Sequence, residues 1–156
     1  MTQLEAELDN LRVALTWFIE QDDEAACRLG GALYLFFGLH GHIREGRRWL
    51  ETILAQSQPV PPAVRARVLE GLGVLAYMQS DYPSARAAGE EALAIWQALG
   101  ERSGTAWMLH LRGRVAYETG DYSRAESTYD QALGMYRQLG DSHGIADMLN
   151  VLGIIA

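Results

Sequence analysis

Residues 66–104 read ARVLEGLGVLAYMQSDYPSARAAGEEALAIWQALGERSG, and residues 106–144 read AWMLHLRGRVAYETGDYSRAESTYDQALGMYRQLGDSHG. The second stretch repeats the first at an offset of 40 residues, with identities at regularly spaced positions. A fixed period of this length is typical of proteins that stack one supersecondary unit on the next. The sequence therefore predicts a tandem structural repeat.

Each copy of the repeat divides into two helices. Ala66, Leu69 and Gly73 follow one another at helical spacing, so they lie along one side of the first helix. A polar break at Asp81-Tyr82 ends that helix, and Leu99-Gly100 ends the second, where glycine favours a left-handed cap. The second copy repeats these residues as Ala106, Leu109, Gly113, Asp121-Tyr122 and Leu139-Gly140, and a third copy begins with Ala146, Leu149 and Gly153.

This alternation of small and large residues resembles the tetratricopeptide-repeat (TPR) family. Leu69, Leu72, Gly73, Ala85 and Ala92 occupy the positions that carry the resemblance. The usual period of the family is about 34 residues, and a longer second helix accounts for the period of 40 here. The resemblance implies an all-α fold: a right-handed α-α superhelix, or TPR-like solenoid, of about eight helices in antiparallel hairpins.

We interpret residues 1–156 as a single TPR-like domain. Thr2 and Glu5 have the spacing of a capping box at the start of an opening helix, and the proline-rich residues 56–62 separate a degenerate unit from the regular ones. Because the sequence stops inside a third repeat, we expect either a longer solenoid or a partner that covers this end. The predicted parts are an N-terminal packing helix at 1–21, a degenerate hairpin at 24–57, TPR repeats at 63–100 and 103–140, and the start of a third repeat at 143–156.

Composition excludes several classes of function. The net charge of −7 disfavours direct binding to nucleic acid, which depends on clustered positive charge. All 13 basic residues are arginine, so a phosphate-loop or Schiff-base lysine is excluded. No apolar run is long enough for a membrane helix, and we expect a cytoplasmic protein. The single cysteine, Cys27, is expected to be a buried structural thiol.

No catalytic motif or metal-ligand spacing occurs in the sequence. We therefore predict that the protein is not an enzyme and has no cofactor or metal. An active site could be assembled only from His110, Glu70 and a tyrosine. Arg112 stands where the family has leucine, and we expect it either to reach the surface along its stem or to pair with a carboxylate.

Two segments near the start of the chain carry a narrower resemblance. Residues 8–15 read LDNLRVAL and residues 38–50 read GLHGHIREGRRWL, similar to the start of the helical-repeat region in LuxR-like and AfsR-like bacterial signalling ATPases and transcriptional regulators. This resemblance implies a sensor or assembly domain whose ATPase and DNA-binding parts are encoded elsewhere. The predicted function is a non-catalytic interaction scaffold, a fragment of a larger bacterial regulatory protein.

In the family, the first helices of successive repeats line a concave groove, and the corresponding positions here form the candidate binding site. Their aromatic and charged side chains suit a peptide, a protein segment or an effector. The alternative is that some of them simply pack between repeats. The predicted groove residues are Arg67, Glu70, Val74, Tyr77, Met78, Trp107, His110, Arg114, Tyr117, Glu118 and Asn150.

Two further surfaces are candidates. Arg44, Arg47 and Arg48 form a secondary basic patch that could receive a phosphate or an acidic segment, although pairing with neighbouring glutamates on a solvated face is the favoured interpretation. The row Leu149, Leu152 and Ile155 could instead pair with a second copy of the chain. Self-assembly through the C-terminal helix is therefore the alternative function.

Overall fold

The computed structural model describes residues 3–56 and 59–155, with side chains from residue 7 onward. These ranges contain eight α-helices and no strand, which confirms the predicted all-α class. The proposed capping box of Thr2 and Glu5 lies outside the described side chains. The helices are α1 (Gln3–Gln21), α2 (Asp23–Leu39), α3 (Ile43–Gln56), α4 (Pro62–Met78), α5 (Tyr82–Ala98), α6 (Arg102–Glu118), α7 (Tyr122–Leu139) and α8 (Ser142–Ile155).

Consecutive helices pack against each other along the chain, α2 on α3, α4 on α5, and α6 on α7. Each pair also contacts the next one, because α2 and α3 touch α4, α5 touches α6, and α7 touches α8. Helix α1 packs on both α2 and α3. The first helices of neighbouring pairs also meet, since α2 packs on α4 and α4 contacts α6. Helices α2, α4, α6 and α8 are called the first helices below.

Left-handed residues and aspartate caps set the tight turns between helices. Gly100 and Gly140 both have φ of 69°, which confirms the predicted glycine caps. Within the pairs the same role falls to Gly120, with φ of 80°, and to Ser80. The carboxylate of Asp141 accepts a hydrogen bond from the backbone N–H of Gly144 at 3.0 Å and so caps the start of α8.

Aromatic rings lie directly on glycines where helices cross. A methyl group added at Gly113 of α6 would lie 2.5 Å from Cε1 of Tyr129 on α7, and one at Gly104 would lie 2.6 Å from the ring of Trp96 on α5. Because real carbon atoms do not approach so closely, only glycine lets the two backbones come this near. Three more pairs repeat the contact: Phe37 on Gly46, Tyr34 on Gly71, and Tyr136 on Gly144.

The apolar core forms two main clusters, which meet at α4. Cys27 is fully buried in the cluster of α1 to α4, as predicted. Arg112 is half-buried, and its Nε atom is buried with no hydrogen-bond partner among the described residues. No carboxylate in residues 3–56 and 59–155 forms an ion pair with Arg112, so the expected pairing is not found, while partial burial is what a side chain that reaches the surface along its stem would show.

Replacing Gly113 with alanine should destabilise the fold, because the new methyl group overlaps the ring of Tyr129. We expect Gly113→Ala to lower the free energy of unfolding by about 1–3 kcal/mol, as overpacking does. Gly134 in the middle of α7 is the matched control, since a methyl group there meets nothing within 4 Å. Gly134→Ala should stabilise by roughly 0.5–1 kcal/mol. Urea unfolding would measure both, and equal effects would contradict the assigned contact.

Candidate ligand-binding groove

Helices α4, α6 and α8 border a cavity of about 320 Å³. Tyr129 of α7 also contributes to its walls, as do Asp147 and Val151 of α8. More than half of the residues predicted for the groove therefore come together in one place, although they derive from three different helices. These residues are Tyr77, His110, Arg114, Tyr117, Glu118 and Asn150.

Arg114 is the cation of this cavity. Its guanidinium carbon lies 4.5 Å from the centre of the Tyr77 ring, within the range of a cation–π contact. The Tyr77 hydroxyl donates a hydrogen bond to Glu118 at 3.2 Å, which fixes the ring beneath the guanidinium. Arg114 forms no ion pair with a carboxylate of the described residues. Its charge is therefore held in place but is not neutralised by a direct partner.

His110 lies at the floor of the cavity and is only 7% exposed. Burial lowers the pKa of this imidazole to about 4, and the positive charge of Arg114 acts in the same direction, opposed by Asp147. The rings of His110 and Trp107 are perpendicular, and their centres are 5.3 Å apart. His110 is therefore neutral near pH 7, so it offers a ligand hydrogen-bonding capacity without charge.

The lowered pKa of His110 predicts a specific dependence of stability on pH. Between about 6.5 and 4 the unfolded imidazole binds a proton and the folded one does not, so stability falls as the pH falls through this window. At pH 5.5 the loss relative to pH 7.5 should be about 1 kcal/mol, and His110→Gln should remove it.

His40, at the C-terminal end of α2 and outside the lining of this cavity, supplies the control for this measurement. His40→Gln should leave the difference between pH 7.5 and 5.5 unchanged in urea unfolding. If the His110 variant keeps the wild-type difference as well, the imidazole is not buried as described.

Glu70 is placed beneath the groove surface, because it is 1% exposed. Its carboxylate accepts hydrogen bonds from the hydroxyl of Tyr34 at 2.9 Å and from Nε1 of Trp96 at 3.3 Å. Arg67 donates a third at 2.8 Å. A buried carboxylate requires such partners, so Glu70 ties α2, α4 and α5 together. Tyr34 and Trp96 were not predicted for the site, because neither lies at a groove position of the first helices in the two regular repeats.

The other predicted groove residues lie apart from the α4–α6–α8 cavity. Arg67 borders a separate cavity of about 950 Å³ between α2, α4 and the end of α5. Trp107 is half-buried against the core, and its Nε1 atom has no hydrogen-bond partner among the described residues. Val74 is half-buried, whereas Met78 is 44% exposed near Gly38. The predicted groove is thus not one surface, because Arg67 lines a second cavity and four predicted residues line neither: Glu70, Val74, Met78 and Trp107.

The secondary basic patch contains one engaged arginine and two exposed ones. Arg47 pairs with Glu51 at 2.8 Å and with Asp81 at 2.7 Å, and so connects α3 to the start of α5. Arg44 and Arg48 are exposed, and neither forms an ion pair with a described carboxylate. The three arginines therefore do not share one role, because Arg47 holds two helices together.

Other kinds of site find little support in the described part of the chain. Residues 3–56 and 59–155 contain no group of three or more histidine, cysteine, aspartate or glutamate side chains placed to hold a metal ion. None of the described helices is long and apolar enough to cross a membrane.

The paired helices, the stacking of each pair on the next, and the polar cavity between first helices define a TPR-like helical-repeat fold. Residues 64–138, which span most of α4 to α7, match the family model of the tetratricopeptide repeat. Members of this family are generally non-catalytic scaffolds that bind proteins or peptides.

The structure is similar to the crystal structure of BtubC (BKLC) from P. vanneervenii, with a TM-score of 0.83 and 18% sequence identity. The similarity covers 97% of this chain and 65% of that chain, so the present sequence spans less than two thirds of its length. At this level of identity the likeness shows the fold alone. No curated protein matches the chain in sequence.

Proposed function

We propose that this chain is a non-catalytic interaction scaffold that binds a peptide or protein segment in the α4–α6–α8 cavity. The observation that carries the proposal is the unneutralised guanidinium of Arg114, held over Tyr77 at the cavity wall. Asn150 supports it, because an exposed amide both donates to and accepts from a peptide backbone. Tyr117 adds an aromatic surface with little side-chain entropy to lose.

The scaffold would comprise the parts predicted from the sequence: a packing helix at 1–21, a degenerate hairpin at 24–57, two repeats at 63–100 and 103–140, and the beginning of a third at 143–156. The resemblance of residues 8–15 and 38–50 to LuxR-like and AfsR-like proteins supports a place within a cytoplasmic bacterial regulator. In that arrangement the repeats would sense or recruit a partner, and other domains would carry the enzymatic and DNA-binding activities.

Substitutions at the cavity wall should weaken binding without unfolding the chain. Peptides selected from a random library displayed on phage would serve as ligands, and their affinities would be measured by calorimetry. Arg114→Ala and Tyr117→Ala should each cost about 1–3 kcal/mol of binding free energy if they are anchors. Arg137→Ala, at an exposed arginine near the end of α7, should change nothing.

Circular dichroism must show the same helix content for all of these variants. Wild-type affinity in both cavity variants would refute the proposed groove. Loss of binding on substitution of Arg44 or Arg48 alone would instead identify the basic patch as the working surface.

A second candidate function is self-assembly through α8, favoured by the apolar side chains that this helix exposes. Leu149 is 51% exposed and Ile154 is 63% exposed. Leu152 and Ile155, which the sequence placed in the same row, are half-buried against the core. The surface available to a second copy is therefore the face of Leu149, Gly153 and Ile154. Of the predicted row, only Leu149 belongs to this exposed face.

Sedimentation over a concentration series tests this alternative. If α8 mediates assembly, the wild-type chain should form a dimer at micromolar concentrations, because burying apolar surface drives association. The double variant Leu149→Glu and Ile154→Glu should remain monomeric, while Arg114→Ala should dimerise like wild type. A wild-type chain that stays monomeric at every concentration would exclude the α8 interface.

A further inference from the structure

The cavity between α2, α4 and the end of α5 has a volume of about 950 Å³. This volume falls within the range of sites for small organic molecules. Leu35 and Leu99 contribute apolar walls to this cavity and are 51% and 48% exposed, so their side chains are accessible to a ligand. The cavity does not share a single residue with the α4–α6–α8 cavity.

Arg67 is the fixed cation of this cavity. Its guanidinium donates to the buried carboxylate of Glu70 at 2.8 Å and lies 5.4 Å from the centre of the Trp96 ring. Its stem runs over Gly31, where an added methyl group would lie 2.8 Å from Cγ of Arg67. The side chain is nevertheless 52% exposed, so its position is set from three sides while its remaining N–H groups face the cavity.

The other charged groups near this cavity already have partners. Glu70 accepts hydrogen bonds from three donors, which compensate its charge. Arg28 pairs with Glu24 at 2.6 Å. The carboxylate of Glu101 accepts a hydrogen bond from the backbone N–H of Ser103 at the beginning of α6. Arg28 also keeps N–H groups that Glu24 does not engage, but its side chain is 63% exposed, whereas Arg67 is held at the cavity wall by its contacts with Glu70, Trp96 and Gly31.

The walls also discriminate between a peptide and a small molecule. An extended peptide brings one N–H and one C=O group per residue, and each needs a partner when it is buried. The described lining contains no asparagine, glutamine, serine or threonine, and the hydroxyl of Tyr34 is already engaged with Glu70. Such walls suit an apolar body with a single anionic group.

We infer that the α2–α4–α5 cavity binds a small organic carboxylic acid, whose carboxylate is held by Arg67 and whose apolar body lies between Leu35, Leu99 and the Trp96 ring. Carboxylates accept two parallel hydrogen bonds from a guanidinium, a geometry that a pre-positioned arginine provides. This inference does not depend on the proposed peptide groove. It gives the chain a ligand site on the first hairpins, separate from its partner site on the later ones.

The test uses the whole chain and a library of aliphatic and aryl carboxylic acids, each paired with its own primary amide. Binding would be detected by saturation-transfer NMR and quantified by calorimetry. Acids should bind, and their amides should bind at least about tenfold more weakly, because the amide lacks the charge that Arg67 recognises. If none of the acids binds, or if the amides bind equally well, the inference is wrong.

Two variants connect binding to the cavity. Arg67→Gln should weaken acid binding at least about tenfold, while Arg65→Gln, at an arginine of the same helix that pairs with Glu91, should leave it unchanged. Leu35→Glu keeps the ion pair of Arg67 and Glu70 and adds a negative charge to the wall. It should reduce acid binding to a similar degree by repulsion.

The Leu35 variant decides the matter if loss of Arg67 unfolds the chain by leaving Glu70 unpaired. Unchanged acid binding in folded Leu35→Glu would overturn the proposed location. Arg114→Ala provides the opposite check, since it should weaken peptide binding in the groove without affecting the acids. The two sites can therefore fail or succeed separately.

Discussion

Aromatic rings packed on glycines hold this stack of helices together. The contact appears within hairpins, as with Tyr129 on Gly113, and between them, as with Trp96 on Gly104 and Tyr136 on Gly144. A large flat side chain on one helix requires a bare backbone on the other, so each contact fixes both the distance and the register of two helices. Neither partner can change alone, because a larger residue at the glycine or a smaller one at the ring would leave an overlap or a cavity.

These contacts also determine which polar residues are buried. Close approach of α2 to α4, through Tyr34 on Gly71, brings the Tyr34 hydroxyl onto the neighbouring Glu70. Glu70, which the sequence repeat predicts on the groove surface, is therefore the centre of a buried hydrogen-bond network. One period later the equivalent position is His110, which is buried as a neutral imidazole. Because Glu70 and His110 are buried, the accessible charged side chains next to them are arginines. Arg67 lies near Glu70, and Arg114 lies near His110.

The repeat made much of the fold predictable. Identical residues at an offset of 40 located the hairpins, and the glycines at 100 and 140 located turns whose backbone is left-handed as expected. The division of the groove could not be predicted, because it depends on Tyr34, which belongs to a hairpin whose sequence has diverged from the repeat. The same applies to Arg47, whose ion pair with Asp81 joins residues far apart in sequence. Periodicity reports the face on which a side chain lies, but not the partner that meets it there.

The pairing of Glu70 with Arg67 bears on how a chain of this kind can evolve. Repeat proteins change length when recombination between similar copies adds or removes one whole period. In this chain, removal of residues 70–109 would set Leu111 where Gly71 now accommodates the Tyr34 ring, and would set His110 against Tyr34 and Arg67. A guanidinium would then meet an imidazole where it now meets a carboxylate, and Arg67 would lose its ion pair with Glu70. The units are therefore alike in backbone but not interchangeable, and the junctions between them constrain the order in which they can stand.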